Sequence, residues 1–319
     1  MILWNDPTEV PDDFGPSVVA IGKFDGLHAG HRAIIERMLV DAAGTGARTA
    51  AVTFDRHPLA VLAPEKCPPA LVGVTQKAAL LASTGIDATL MLHFDEALAH
   101  EEAEAFVRRV LVDALHARTV LVGQDFRFGR GGAGDVRLLQ TMGAELGFRV
   151  DEIADVRSVD GRRVSSTWIR ELLAAGEVAD ASKLLGRPAA VWGEVVHGAK
   201  RGRELGFPTA NLARDLEGFI PADGVYAGWL LDGSSAHEAG SHVRYPAAIS
   251  VGDNPTFDDV AARQVEAYVL DQTDLDLYGH EVEVQFVHRI RGMVAFRGIE
   301  ALKDQMTDDV TRTREALRP

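Results

Sequence analysis

The chain has 319 residues, 46% hydrophobic and 25% charged, the make-up of an ordinary globular protein with room for two cores. Its formal net charge of −14 sets it apart from general nucleic-acid binders, whose footprint is basic. The single cysteine, Cys67, excludes an intrachain disulfide and a cysteine-rich zinc site. No run has the length of a membrane span. The acidic, proline-containing start MILWNDPTEVPDD reads as neither a secretory signal nor a transit peptide, so a cytoplasmic protein is expected.

Residues 18–21 form a continuous apolar run, read as a buried parallel strand. A glycine-rich turn over 22–30 follows. Ile34, Ile35, Met38, Leu39 and Ala42 then recur at helical spacing. The string HAGH, from His28 to His31, therefore falls where a strand hands over to a helix. A helix N-terminus offers unpaired N–H groups and the positive end of a dipole, which suits a phosphate. Two imidazoles add hydrogen-bond donors, and glycine lets the backbone approach a ligand closely. The combination points to nucleoside triphosphate chemistry. Taken alone, the junction is equally a plain connection, and the two histidines a surface pair or helix cap.

Further apolar runs at 50–54, 88–94 and 119–123, with another strand expected at 148–156, alternate with helical patterns at 76–83 and 99–115. Such alternation predicts a parallel sheet with covering helices. Ligands collect at the C-terminal ends of strands in open α/β sheets. Two candidate loops fall there: TFDRHP (53–58), with His57, and GQDFRFG (123–129), with Asp125, Phe126 and Phe128. The stretch GRGGAG (129–134) lacks the Walker lysine and the dinucleotide spacing and reads as a turn. SSTWIR (165–170) opens a helix expected to run to 185. Ser166 and Thr167 are ordinary helix-cap types, and Arg170, one turn in, can meet a phosphate that the hydroxyls also contact.

After residues 186–188 the pattern changes to strands, at 190–197, 224–231, 246–251, 265–271 and 281–290. In the last, Val282, Val284 and Phe286 alternate with Glu281, Glu283 and Gln285. Leu302, Met306, Val310, Thr313 and Leu317 mark one face of a closing helix. This predicts a small antiparallel barrel or sandwich with a terminal helix, and domains of 1–186 and 187–319. In HGAKRGRELGFPTANL (197–212), Thr209 and Asn211 project to one face of a strand and offer oxygens suited to Mg²⁺. The loop before them, with Lys200, Gly202 and Arg203, is placed to cover a triphosphate. By itself PTAN is equally a turn followed by a strand. Glu266 shares a strand face with Tyr268 and Leu270; a partly apolar face raises a carboxylate's pKa and suits a general base. The alternative is a solvated edge residue.

GKFDGLHAGHRAII, TFDRHP, VGQDFRFG and SSTWIR, in this order, resemble the adenylyltransferase module of bacterial bifunctional riboflavin kinase/FMN adenylyltransferases, members of the HxGH nucleotidyltransferase superfamily. PTANL, PADGVYAGWL, VGDNPTF, VEAYVLD, DLYG and IRGMVAFRGIEAL resemble their riboflavin kinase module. The resemblance implies a Rossmann-like α/β domain followed by a riboflavin kinase-like β-barrel with a terminal helix. It implies that His28 and His31 stabilise the ATP phosphates and that Gly22, Phe24, Asp25 and Gly30 line the nucleotide site. Ser166, Thr167 and Arg170 would close on the phosphates, and His57, Asp125, Phe126 and Phe128 would help hold ATP or flavin. Arg56 departs from the family, which usually has Pro there. In the second module, Thr209 and Asn211 would bind Mg²⁺ and nucleotide phosphate, and Glu266 would deprotonate the ribityl 5′-hydroxyl. The implied activities are phosphorylation of riboflavin to FMN and adenylylation of FMN to FAD, with release of pyrophosphate. The partners are the small molecules ATP, riboflavin and FMN, with no nucleic acid and no membrane; homo-oligomerisation stays open. Two alternatives remain at this level: an HxGH nucleotidyltransferase with another substrate, and a non-catalytic flavin- or nucleotide-binding protein.

Overall fold

The computed structural model describes residues 1–197, 207–233, 243–253, 263–272, 275–294 and 298–318. The chain divides into two compact units, Met1–Ser166 and Thr167–Pro319. Lys200, Gly202 and Arg203 lie outside the described residues.

The first unit contains β1 (Ile2–Trp4), β2 (Ser17–Ile21), β3 (Arg48–Phe54), β4 (Ala88–Leu92), β5 (Ala117–Gly123), a small hairpin of β6 (Arg127–Phe128) and β7 (Gly134–Asp135), and β8 (Arg149–Ile153). Six of these form one sheet in the order β1-β4-β3-β2-β5-β8, and every pairing in it is parallel. Helices α1 (Ala29–Thr45), α2 (Leu59–Leu62), α3 (Val74–Ala82), α4 (Glu96–Ala99), α5 (Ala103–Phe106) and α6 (Val136–Leu146) connect the strands. The helix expected over 99–115 is broken: α5 runs into a π-helical stretch, Val107–Ala114, after which the Leu115 N–H donates to Val110 O. β1, with only three residues, is too short to show a pattern in the sequence.

Alternate strand residues face two separate cores. Val18, Ala20 and Leu121 pack with Ile34, Ile35 and Met38 of α1. Val19, Ile21, Val52 and Val120 pack with Val107, Val110 and Leu111 on the other side. Burial on both faces explains why β2 and β4 read as unbroken apolar runs. From β2 the chain moves outward through β3 and β4, then β5 returns to the opposite side of β2. The strand order reverses between β2 and β5, and ligands of open α/β sheets bind outside the C-terminal strand ends at such a reversal. The HAGH turn follows β2, and residues 123–125 follow β5, so both meet at this point.

The second unit begins with α7 (Ser166–Ala175) and α8 (Val178–Leu185). β9 (Ala189–Val196), β10 (Thr209–Leu212), β11 (Gly224–Asp232), β12 (Val243–Asp253), β13 (Arg263–Val269) and β14 (Glu281–Arg291) follow. They close into an antiparallel barrel ordered β10-β13-β12-β11-β14-β9, with β9 pairing back to β10. Val282, Val284 and Phe286 are buried and their alternating neighbours are not, as the two-residue period requires. The last helix, α9 (Ile299–Ala316), brings Ala316 and the following Leu317 onto Val225, Ala227 and Ile290. It also buries Asp309, whose carboxylate takes the Arg291 guanidinium in two bonds of 2.8 and 2.7 Å. The compact units part at the start of α7, between Ser166 and Thr167, whereas the change of sequence pattern suggests 186. The helix pair packs on the barrel: Arg289 Nη1 donates to Ala175 O at 3.0 Å and the Ala222 N–H to Leu173 O at 2.9 Å.

Candidate active sites

The turn after β2 is locally strained. Phe24 (φ 47°), Gly26 (φ 85°) and Leu27 (φ 40°) are all left-handed. Bulky residues rarely adopt that conformation and keep it only where packing overrides its cost. Here Phe24 is fully buried and Leu27 nearly so. The turn delivers His28 to the N-cap of α1 and His31 to its first turn. The two rings stack, centroids 3.8 Å apart at 17°, and Phe24 meets His31 edge-on at 5.4 Å. Gly30 leaves room for that stack, since a Cβ there would lie 3.2 Å from His28 Cε1. At Gly22 a Cβ would press on the Phe24 ring at 3.2 Å.

His31 Nδ1 is buried and makes no hydrogen bond among the described residues. Burial first, then the charges of His28, Lys23, Lys77 and Arg163, hold its pKa well below the ordinary imidazole value. A buried ring nitrogen among positive charges is chemically suited to an anionic partner such as a phosphate. Phe24 and Asp25, expected to line the nucleotide site, are buried within the turn. The Asp25 carboxylate accepts the N–H groups of Leu71 (2.8 Å) and Val72 (3.3 Å), and its carbonyl accepts Ser166 Oγ at 2.9 Å. Ser166 is thus brought to the histidine turn; Thr167 and Arg170 belong to the second unit.

At the strand ends, Ile21, Phe54, Phe94, Phe106, Phe126 and Phe128 contribute to an apolar pocket. Phe126 and Phe128 stack at 5.3 Å and 15°, and Phe54 meets Phe94 edge-on at 5.3 Å. Glu101 and Arg127 also line it. Polar groups lie beside its lining residues in the chain. Asp125 accepts Arg163 Nη1 at 2.9 Å, and chiefly this bond holds its carboxyl below the usual range; Arg163 Nε reaches Asp155 at 2.9 Å. Asp55 is pushed up by burial, but bonds from Arg56, the Phe94 N–H and His93 win and leave it low. His57 Nδ1 accepts the Leu59 N–H at 3.1 Å, tying the ring to the start of α2, and its Nε2 lies 3.5 Å from Lys23 Nζ.

In the barrel, register assembles the second constellation. Asn211 on β10 stands opposite Glu266 on β13, and Thr209 opposite Tyr268. Thr209 Oγ1 donates to Glu266 Oε2 at 3.4 Å. Asn211 Nδ2 donates to the Thr209 carbonyl (3.1 Å) and Oγ1 (3.3 Å), while its Oδ1 accepts Gln264 Nε2 at 3.2 Å. Burial raises the Glu266 pKa above its ordinary value of 4.5, with the Thr209 bond pulling it partly back. Among the described residues no cluster of three or more His, Cys, Asp and Glu could hold a metal. The oxygens of Thr209 and Asn211 fit a hard cation bound jointly with substrate phosphates, the usual manner of Mg²⁺.

Residues 10–168 match the FAD synthetase family and residues 185–317 the riboflavin kinase family. The chain is 37% identical over 303 residues to the bifunctional riboflavin kinase/FMN adenylyltransferase of Pseudomonas fluorescens, covering 95% of this chain and 93% of the relative. The chain belongs to the bifunctional riboflavin kinase/FMN adenylyltransferase family. A second family member, from Escherichia coli (strain K12), is 36% identical over 300 residues, 93% of this chain and 92% of the relative. A crystal structure described as a macrolide-efflux protein from Streptococcus pneumoniae shares the fold, with TM-score 0.85 and 30% identity over 98% of each chain. Among the described residues of this chain, no helix is long and apolar enough to cross a membrane.

The two family matches correspond to the sheet and to the barrel, each with its own constellation. Catalysis in this family is nucleotide-dependent. Three residues at these sites escape sequence reading: Lys77, Arg163 and Gln264. Gln264 carried a usable signal, because two residues before Glu266 on a strand places it on the same face. Lys77 and Arg163 reach the histidine turn only through the tertiary fold.

Proposed function

We propose that the barrel phosphorylates riboflavin to FMN with ATP, and that the sheet unit joins FMN to the AMP portion of ATP, giving FAD and pyrophosphate. The observation that carries this reading is the pairing of a half-buried Glu266, its pKa raised, with Thr209 and Asn211 in one unit, while the other holds a stacked histidine pair at a helix N-terminus and an aromatic pocket at its strand ends.

In the barrel, Glu266 takes the proton of the ribityl 5′-hydroxyl. The oxygen bonds to the γ-phosphorus of ATP, and the bond to ADP breaks. The raised pKa makes Glu266 a stronger base than an exposed carboxylate. Thr209 and Asn211 would hold Mg²⁺, which would neutralise charge on the phosphoryl group being transferred. Gln264 orients the Asn211 amide for this task.

In the sheet unit, a phosphate oxygen of FMN bonds to the α-phosphorus of ATP, and the bond to pyrophosphate breaks. The nucleophile is already an anion, so no base is required. His28 and His31 donate hydrogen bonds to the phosphate oxygens as charge builds on them, the kind of stabilisation that is often the largest catalytic contribution. The aromatic pocket takes the isoalloxazine ring, with Phe126 and Phe128 as stacking surfaces.

Incubation of the protein with riboflavin, ATP and Mg²⁺, with the flavins separated over time, tests both halves. FMN followed by FAD is the expected result. FMN alone would remove the adenylyltransferase half and leave the histidine site to another phosphate substrate. Flavin binding with no conversion, FMN also having been supplied, would favour a binding protein.

A further inference from the structure

Lys77 is an unusual charge in the sheet unit. It lies on α3, only 7% exposed, and among the described residues its ammonium makes one hydrogen bond, to the Phe54 carbonyl at 2.7 Å. An ammonium has three donors, so one main-chain carbonyl compensates it poorly. Asp25 and Asp55 attract it, but their carboxylates are occupied elsewhere, by the Leu71 and Val72 N–H groups and by Arg56, His93 and the Phe94 N–H. Burial accordingly lowers its pKa. Packing does not account for such a residue, because a poorly compensated buried charge is a cost that an apolar side chain avoids.

Its neighbours suggest what it is for. Phe54 ends β3, lines the aromatic pocket, and is followed at once by Asp55, Arg56 and His57. The Lys77 charge also helps lower the His31 pKa, together with those of His28 and Lys23 from the turn and Arg163 from the segment after β8. Lys77 is therefore bonded to the strand end that lines the aromatic pocket, and that strand is held to the histidine turn by Thr53 Oγ1, which donates to the Lys23 carbonyl at 3.1 Å.

We propose that Lys77 is a positioning residue for adenylyl transfer: its ammonium pins the carbonyl end of β3 beside the histidine turn and keeps that pocket positive for a phosphate. The proposal rests on the reading of the sheet unit as the adenylyltransferase. Removing the pin lets Phe54 and the segment after it drift. Removing the charge leaves His31 among fewer cations.

The test uses the full chain with Lys77→Met and Lys77→Gln, FMN and ATP as adenylylation substrates, and riboflavin phosphorylation as the control for folding. Nitrogen-labelled histidine NMR follows the His31 ring. Lys77→Met is expected to lower kcat/KM for FMN by roughly 10²-fold, the scale of a 1 Å misplacement at a reacting centre. Kinase activity stays at the wild-type level, and the His31 titration midpoint rises. Lys77→Gln, which still donates to the carbonyl, recovers the KM for FMN but not the His31 midpoint. Unchanged adenylylation in Lys77→Met would overturn the proposal. So would lost activity with the His31 midpoint unmoved, which would reduce Lys77 to space filling. If Lys77→Met does not fold, the same two readouts on Lys77→Gln decide. A wild-type chain that makes no FAD from FMN and ATP would instead overturn the reading of the site itself, and this proposal with it.

Discussion

On the function proposed above, the two units build their phosphate-transfer sites in opposite ways. The sheet unit places its chemistry on a connection, where β2 ends and α1 begins, and supports a strained turn with buried Phe24 and Leu27. The barrel places its chemistry on regular strands, where the pairing of Asn211 with Glu266 does the aligning. One site depends on local backbone geometry at a point where the strand order reverses. The other depends on cross-strand register. A turn leaves N–H groups and dipole ends for a phosphate, whereas strands, whose backbone groups are already paired, must supply side-chain oxygens.

Independence of the two sites is the point most open to attack. Glu266→Gln is expected to lower riboflavin phosphorylation by roughly 10²–10⁴-fold, the usual contribution of a general base. Adenylylation of supplied FMN should persist; normal phosphorylation would remove Glu266 from the mechanism. His28→Ala is expected to lower FAD formation by roughly 10²–10³-fold, as for the loss of one donor to a developing oxyanion. The kinase rate should hold, and equal loss of both activities would show that the sites are coupled. Gly30→Ala is milder. Its Cβ crowds the His28 ring at 3.2 Å, so FAD formation should fall roughly threefold to tenfold. An unchanged rate would mean the histidine stack yields without cost.

The smallest effect concerns stability. Burial raises the Glu266 pKa above 4.5, so between that value and its folded value the native barrel holds more protons than the unfolded chain. Stability from this group is therefore present below that interval and lost as pH rises through it. Glu266→Gln removes the slope. Above the interval the variant should unfold at a higher temperature than wild type, and the difference should shrink as pH falls. Thermal unfolding of both proteins across pH measures this, and parallel curves would contradict it.

Much of this was legible in the sequence because it is local. The buried strands of the sheet appear as apolar runs, β14 as an alternation, and the histidine turn as one string. Glu266 was readable as a carboxylate on a partly apolar face, and burial does raise it. Other features come from tertiary contact and leave no local pattern. The Asp25 carboxylate is occupied by the backbone of Leu71 and Val72, far along the chain. Phe24 is fully buried in a left-handed conformation, which its single letter in the string does not show. Asp309 looks like a surface residue of a terminal helix, yet it is buried against Arg291. The place of α7 and α8 with the barrel depends on Arg289, whose contact with Ala175 spans more than a hundred positions.

Closure of the barrel gives its site a property that the turn lacks. An open sheet can let an outer strand slide by one residue, which turns every side chain to the other face. β10 has a partner on each side, β9 and β13, and the ring returns to itself through β14, β11 and β12. Sliding it would require rearranging both neighbours, and through them the ring. Thr209 and Asn211 therefore have no graded path out of alignment with Glu266. The barrel works as a vernier locked at one setting, so its site keeps its geometry until the whole ring opens.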